Sequence, residues 1–517
     1  MTTDVLLPTL RAPGGVHPLR ADANPALIAS LEALLPDYLV QQRWFGGKDQ
    51  PITSVSVAEV VCIQTPPSPL YLTLLDVTHP GRTDRYVLPL ALTKGAASVL
   101  KLHPQAGLAW VDTDAGCLLL YDATVSSTFW LVLLTWWQRG ETRRSAGSAY
   151  RAEALRPIRE VRPGKVQPLG REQSNSSALL DRRYFAKLYR RLEPGPNPEA
   201  ELLAFLTRQG VPFIPSLHGT LTVTRQGTVY ALAVLQEAIP VDQEGWAYVQ
   251  QLAAAFFKRV VQNPLAPQTR AAMHQVAPEM LRMARNLGLR TAHLHAALAQ
   301  ATSPDLRPVP TTAEDIDAFA TEVQHALQRL HRRLGEEQDT AAVSGWPWAK
   351  AQKRLADLRT WAPPAQRIRI HGDYHLGQLV WADEAFYILD FEGEPTRPLA
   401  ERRRPAFALY DVAGLLRSME YAVLATWQDV MGKAPALLPW GLTLVEACEE
   451  AFVDTYVEAA GDAPFLPPPA SRRAFLWAHL MSKALYEVDY ERNHRPGWAW
   501  LPLQGLHRLL QSPGPGA

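Results

Sequence analysis

The chain has 517 residues, 52 basic against 51 acidic, and a formal net charge of +1. That length exceeds what one hydrophobic core supports and predicts two or three domains. The even charge excludes a nucleic-acid partner held by bulk electrostatics. Cys62, Cys117 and Cys448 are too far apart for a disulfide scaffold or a zinc site. The most apolar run, Phe129 to Trp137, is about half of what a bilayer requires. The N-terminus carries no leader pattern, so the expectation is a cytoplasmic protein with no membrane partner.

Residues 1–110 read as a mixed α/β unit, with helical spacing from Ala26 to Leu35 and alternating runs at Ser54–Ile63, Leu70–Val77 and Arg85–Leu92. A helix follows over FWLVLLTWW, with Ser126, Ser127 or Thr128 as its N-cap. Within 111–240 the pattern turns to strands: Arg162–Pro168, Ser177–Leu180, Tyr184–Tyr189, Val211–Pro215 and Thr228–Gln236. From 241 to 517 helical periodicity dominates, at Ala247–Gln262, Pro278–Ala299, Thr312–Leu334, Val412–Trp427, Leu442–Ala459 and Arg472–Tyr490. The expected fold is α+β: a bilobal, protein-kinase-like pair of portions behind an N-terminal α/β cap domain.

The segment from Arg369 to Pro395 carries the chemistry. Phosphoryl transfer requires a carboxylate at the attacking hydroxyl and oxygen ligands that hold Mg²⁺ against nucleotide phosphates. Kinase-type enzymes supply these from an H-x-D-x-x-x-x-N loop and, about a dozen residues on, a D-F-G-like turn. Here the first is His371-Gly372-Asp373 with Gln378 five residues after the Asp, and the second is Asp390-Phe391-Glu392. Asp373 is thus the candidate base, with Gln378 and Asp390 as metal ligands; Gln retains the carbonyl oxygen that a hard cation prefers. His371 reads as structural, and His375 as a phosphate or substrate contact or a holder of the turn. His293 and His295, two residues apart on a helix, point to different faces and form no metal pair.

The strand portion then has to supply a phosphate cradle and a lysine. Gln173, Ser174, Asn175 and Ser176 occupy the first strand–turn–strand, where backbone N–H groups and short polar side chains bind anions without glycine. Lys187, in the alternating strand RYFAKLY, stands where the lysine of the α/β-phosphates belongs. Its acidic partner is expected on the helix beginning at Pro198; Glu201 is preferred there and Glu199 is the rival. Gln236 and Ala238, in LQEAIP, fit a hinge whose backbone meets the adenine of ATP.

These motifs together resemble the bacterial maltokinases, of the aminoglycoside-phosphotransferase-like branch of the kinase fold. HGDYHLGQ and DFEGEP carry the resemblance, joined by QRWFGGK (Gln42 to Lys48), EQSNSS, LQEAIP, ERRRPAFALYDVAGLLRSMEYA and KALYEVDYERNHRPGWAWLPL. The resemblance implies ATP- and Mg²⁺-dependent phosphorylation of the anomeric hydroxyl of maltose, giving maltose 1-phosphate for α-glucan synthesis. It also implies a trehalose synthase as supplier of maltose. The family's Gly-Asp-Gly-Trp after the hinge is here Asp242-Gln243-Glu244-Gly245-Trp246. The alternative acceptors are glucosamine, another small sugar or an aminoglycoside; the alternative class is a non-catalytic scaffold that docks trehalose synthase.

On the sugar side, Lys483, Tyr486, Glu487 and Tyr490 fall at i, i+3, i+4 and i+7 and share one helix face. With the family match, Lys483, Tyr486, Glu487, His375 and Trp498 are the expected sugar contacts. Arg417 and Glu420 also face one way on their helix, with no assigned role.

Overall fold

The computed structural model describes residues 7–12, 19, 24–65, 68–114, 116–145, 147–170, 174–262, 269–336, 345–429, 432 and 434–512. The chain divides into two compact units, Met1–Ala204 with Pro215–Ile239, and Phe205–Ile214 with Pro240–Ala517.

Two seven-stranded sheets build the first unit. The first contains β1 (Thr9–Ala12), β2 (Ser54–Gln64), β3 (Leu70–His79), β4 (Arg82–Thr93), β5 (Gly107–Thr113) and β6 (Gly116–Asp122), in the order β1-β5-β6-β4-β3-β2. The sheet therefore continues past residue 110, because the β5–β6 hairpin pairs back onto β4. The second contains β7 (Thr142–Arg144), β8 (Ser148–Ala154), β9 (Val166–Leu169), β10 (Asn175–Leu180) and β11 (Tyr184–Tyr189), and, after the short β12 (Arg191–Leu192) that joins β4, β13 (Leu217–Arg225) and β14 (Thr228–Glu237). Its order is β7-β8-β13-β14-β11-β10-β9.

Alternation along β3 explains how one strand serves two cores. Leu70, Leu72 and Leu74 enter a core shared with the second sheet, while Tyr71, Leu75 and Val77 enter another beneath the helix Pro25–Gln41. Both faces being covered, the strand reads as a nearly continuous apolar run. The helix Ser127–Arg139 fills the shared core with Trp130, Trp136 and Trp137. Ser126 is its N-cap and accepts a hydrogen bond from the Thr128 N–H at 3.3 Å, and Gly140, at φ 59°, closes its end.

Two expected strands change. Pro163–Lys165 is a 3₁₀ turn, so that strand begins only at Val166. Val211–Pro215 forms no strand: the helix Pro198–Arg208 closes with Gly210 at φ 71° and the Val211 N–H on the Leu206 carbonyl, and Pro212 and Pro215 leave too few donors for a ladder. The strand that follows is β13, whose LHGTLTVTR alternation the sequence reading passed over.

The second unit is mainly helical. Its helices at Gly245–Gln262, Pro278–Leu298, Ala313–Glu336, Leu409–Asp429, Leu438–Ala460 and Pro469–His494 lie where periodicity places them, with unforeseen ones at Trp348–Asp357 and Trp500–Gln511. Leu409–Asp429 is the most buried. A small antiparallel hairpin, Leu379–Ala382 with Ala385–Ile388, separates the Asp373 turn from Asp390. Two close approaches fix the Asp373 turn. A Cβ on Gly245 would lie 2.8 Å from the Leu376 carbonyl, and one on Gly414 2.7 Å from the Tyr374 carbonyl. Among the described residues no helix is long and apolar enough to cross a membrane.

Candidate active site

In the first unit, Lys187 lies on β11, opposite Ser177 of β10. Its ammonium stands 3.1 Å from Glu199 Oε2, with side chains only 7% and 1% exposed. The sequence preference for Glu201 is thus corrected: in the first turn of a helix, residues two apart face different ways, and Glu199 faces the sheet. Asn197 fixes that turn, its side chain accepting from the N–H groups of Glu199 (2.8 Å) and Ala200 (3.3 Å). Glu199 also accepts from the Tyr189 hydroxyl at 2.8 Å and the Gln236 amide at 2.9 Å. One carboxylate thereby orients three donors.

This arrangement alters the expected hinge. The side chain of Gln236 donates to Glu199, and the Ala238 N–H donates to the Arg183 carbonyl at 2.8 Å, so that backbone N–H is not a free donor for a base edge. In the cradle, Asn175 and Ser176 open β10 and Ser174 precedes it, while Gln173 lies outside the described residues. The Ser176 oxygen accepts from Arg190 Nε at 2.8 Å.

In the second unit, the turn around Asp373 is held from below by Asp411. This buried carboxylate, which sequence reasoning missed, accepts from the backbone N–H groups of His371 (2.8 Å) and Gly372 (2.9 Å). It lies 3.2 Å from His295 Nε2, whose other ring nitrogen meets the Tyr456 hydroxyl at 2.8 Å. His371 is structural as expected: Nε2 donates to the Leu389 carbonyl at 2.9 Å, and Nδ1 accepts from the Asp373 N–H at 3.3 Å. That pairing fixes one tautomer and ties the Asp373 turn to the residue before Asp390. Gly372 adopts φ 80° and Asp390 φ 59°, left-handed conformations that glycine takes freely and aspartate tolerates.

Asp373, Gln378 and His375 come together. The Gln378 amide nitrogen is 3.5 Å from Asp373 Oδ2, which leaves its carbonyl oxygen for a cation, and His375 Nε2 is 3.6 Å away. Burial pushes the Asp373 carboxyl up, but His375 first, then His371 and Lys483, outweigh it and hold it below the usual carboxylate range. Such a carboxylate is ionised at neutral pH and can accept a hydrogen bond from a hydroxyl.

Around Lys483 the structure adds three groups not foreseen. Its ammonium lies 5.1 Å from the Tyr486 ring centre and 6.0 Å from that of Tyr410. Glu394 accepts from Arg397 Nε (3.0 Å) and the Tyr410 hydroxyl (3.2 Å). Burial pushes the Glu394 carboxyl up, and the charges of Lys483 and Arg397, with the Tyr486 hydroxyl, bring it below its usual range. Glu394 is the second Glu of DFEGEP, so the motif was visible though its role was not.

Two expected sugar contacts have other partners. Glu487 Oε2 accepts from Arg417 Nε at 2.9 Å, and Arg417 also pairs with Glu420. Arg508 joins Glu420 (2.9 Å) to Glu449 (2.6 Å). Glu487 is thus one end of an ion network that explains Arg417 and Glu420. Trp498 lies against Arg495, whose guanidinium is 5.7 Å from its ring centre.

Comparison with known proteins gives the family. Residues 165–446, more than half of the chain, match the family described as the phosphotransferase enzyme family. The chain belongs to that family. Residues 38–125 match the maltokinase N-terminal cap domain. A glucosamine kinase of Streptacidiphilus jiangxiensis is 27% identical over 359 residues, covering 66% of this chain and 72% of that protein. A glucosamine kinase of Mycolicibacterium smegmatis is 27% identical over 357 residues, covering 66% and 79%. Among solved structures, a glucosamine kinase in its crystal form B gives a TM-score of 0.64 at 20% identity, covering 94% of this chain and 99% of that one. A glucosamine kinase in complex with glucosamine, ADP and inorganic phosphate gives 0.61 at 21% identity, covering 92% and 97%. The fold is therefore kinase-like with an N-terminal cap, α+β as expected.

Proposed function

We propose that this phosphotransferase is an ATP-dependent sugar kinase that phosphorylates the anomeric hydroxyl of maltose. Asp373 orients the hydroxyl and receives its proton; Lys187, held by Glu199, offsets charge on the nucleotide phosphates; Ser174, Asn175 and Ser176 border them. Gln378 and Asp390 offer hard oxygen donors and fit Mg²⁺, which when bound would supply charge neutralisation on those phosphates. His375, Lys483 and Tyr486 are the proposed acceptor contacts. The product would enter α-glucan synthesis, with maltose supplied by a trehalose synthase, in the cytoplasm.

One observation carries the choice of a neutral acceptor. Among the described residues around Asp373, Glu394 is paired with Arg397 and lies in the field of Lys483, two cations to one carboxylate. An amino sugar brings an ammonium that needs an unmatched carboxylate on desolvation; a neutral disaccharide does not. Glucosamine is the second reading, supported by the curated relatives. The deciding experiment measures ATP consumption with Mg²⁺ against maltose, glucosamine, glucose and an aminoglycoside, with product identification. Turnover with maltose to a 1-phosphate supports the proposal, and turnover with glucosamine alone overturns it.

A further inference from the structure

We propose that Arg190 is a positioning residue through which the cap domain sets the opening of β10, at Asn175 and Ser176; this rests on the nucleotide role proposed for residues 174–187. Arg190 follows β11 directly, three residues after Lys187, and is 1% exposed. Its Nη2 donates to Asp122 Oδ2 at 2.6 Å and to Thr124 Oγ1 at 2.7 Å. Its Nε donates to Ser176 Oγ at 2.8 Å, and the guanidinium lies 4.4 Å from the ring centre of Trp44. Asp122 is itself oriented, Oδ1 accepting from the Thr124 N–H (3.0 Å) and hydroxyl (2.7 Å). One side chain thus joins the QRWFGGK motif and the end of the cap sheet to the first residues of β10.

Three physical arguments make this positioning rather than plain packing. First, a planar fork with five fixed donors can satisfy three acceptors at set angles, which a lysine cannot. A buried ion pair is a poor source of net stability, since apolar packing of equal volume does as well. Second, the junction is not close-packed. A cavity of about 270 Å³ opens there, lined by Trp44, Asp122, Thr124, Asn175, Ser176 and Arg190 among others. At that gap, beside the core the two sheets share, the guanidinium rather than interdigitated side chains spans from the cap sheet to β10. Third, Ser176 is in register with Leu188 and Ser177 with Lys187, so a shift of the turn reaches the lysine strand directly.

The test uses the full chain and the variants Arg190→Lys and Asp122→Asn. ATP affinity is measured by calorimetry with Mg²⁺ and no acceptor, alongside KM for ATP and for acceptor. Loss of charge-assisted hydrogen bonds from an aligned turn is expected to weaken ATP about tenfold or more while acceptor KM stays within about twofold. Asp122→Asn keeps side-chain shape and serves where Arg190→Lys fails to fold. ATP binding within twofold of wild type in a folded variant overturns the proposal, as does equal weakening of ATP and acceptor. A wild-type chain that binds no ATP would instead overturn the nucleotide reading, and this inference with it.

Discussion

His479 offers a quantitative test of the fold that carries Lys483, which stands one turn further along the same helix. The imidazole is 3% exposed, stacked on Phe319 at 4.3 Å and 24°, with Phe407 at 5.7 Å. Neither ring nitrogen has a hydrogen-bond partner among the described residues, and burial pushes the ring down to about 3. The unfolded chain titrates this histidine near 6.5. Above that pH the ring is neutral in both states and adds no pH dependence. As pH falls from 6.5 toward 3, only the unfolded state takes up the proton, so stability falls by about 1.4 kcal/mol per unit. At pH 5 the loss is about 2 kcal/mol. His479→Phe keeps the stack and removes the titration. In urea denaturation followed by tryptophan fluorescence, the stability difference between variant and wild type should therefore grow by about 2 kcal/mol between pH 7.5 and pH 5. A difference that changes by less than about 0.5 kcal/mol would refute the reasoning, because it would mean that the folded state accepts the proton.

Asp373→Asn should fold normally and lose turnover by a factor on the order of 10²–10⁴, checked by melting temperature and single-turnover assay. Glu199→Gln should weaken ATP binding far more than Glu201→Gln, since Glu199 holds Lys187; equal effects in a nucleotide titration would contradict the pairing. Gly505→Ala should destabilise by on the order of 1–3 kcal/mol in thermal unfolding, because a Cβ there would clash with the Arg417 guanidinium. Arg417→Met should be worse, at about 3–5 kcal/mol, because it strands Glu487 and leaves Glu420 with Arg508 alone.

Residues close in sequence were the ones that could be read directly. Asp373, Gln378 and Asp390 lie within one turn–hairpin–turn, so their spacing is their geometry, and Lys187 follows from strand order. Long helices in the second unit were legible because their apolar period is sustained over five or more turns. What needed the fold were partners set by long-range packing. Asp411 reaches the His371 turn from a helix 40 residues on, and Arg190 meets Asp122 from 68 residues away. The choice between Glu199 and Glu201 depended on which side of one helical turn faced β11, and both sequence contexts are acidic. Glu487 and Lys483 share a helix face, yet Gly505 brings the helix Trp500–Gln511 close enough for Arg417 to claim the glutamate.

The most direct test of the proposed activity offers equimolar maltose and glucosamine to the enzyme with ATP and Mg²⁺ in one tube and follows the products by ³¹P NMR. The prediction is a dominant phosphorus signal coupled to an anomeric proton of maltose. A product spectrum dominated by phosphorylated glucosamine would contradict it.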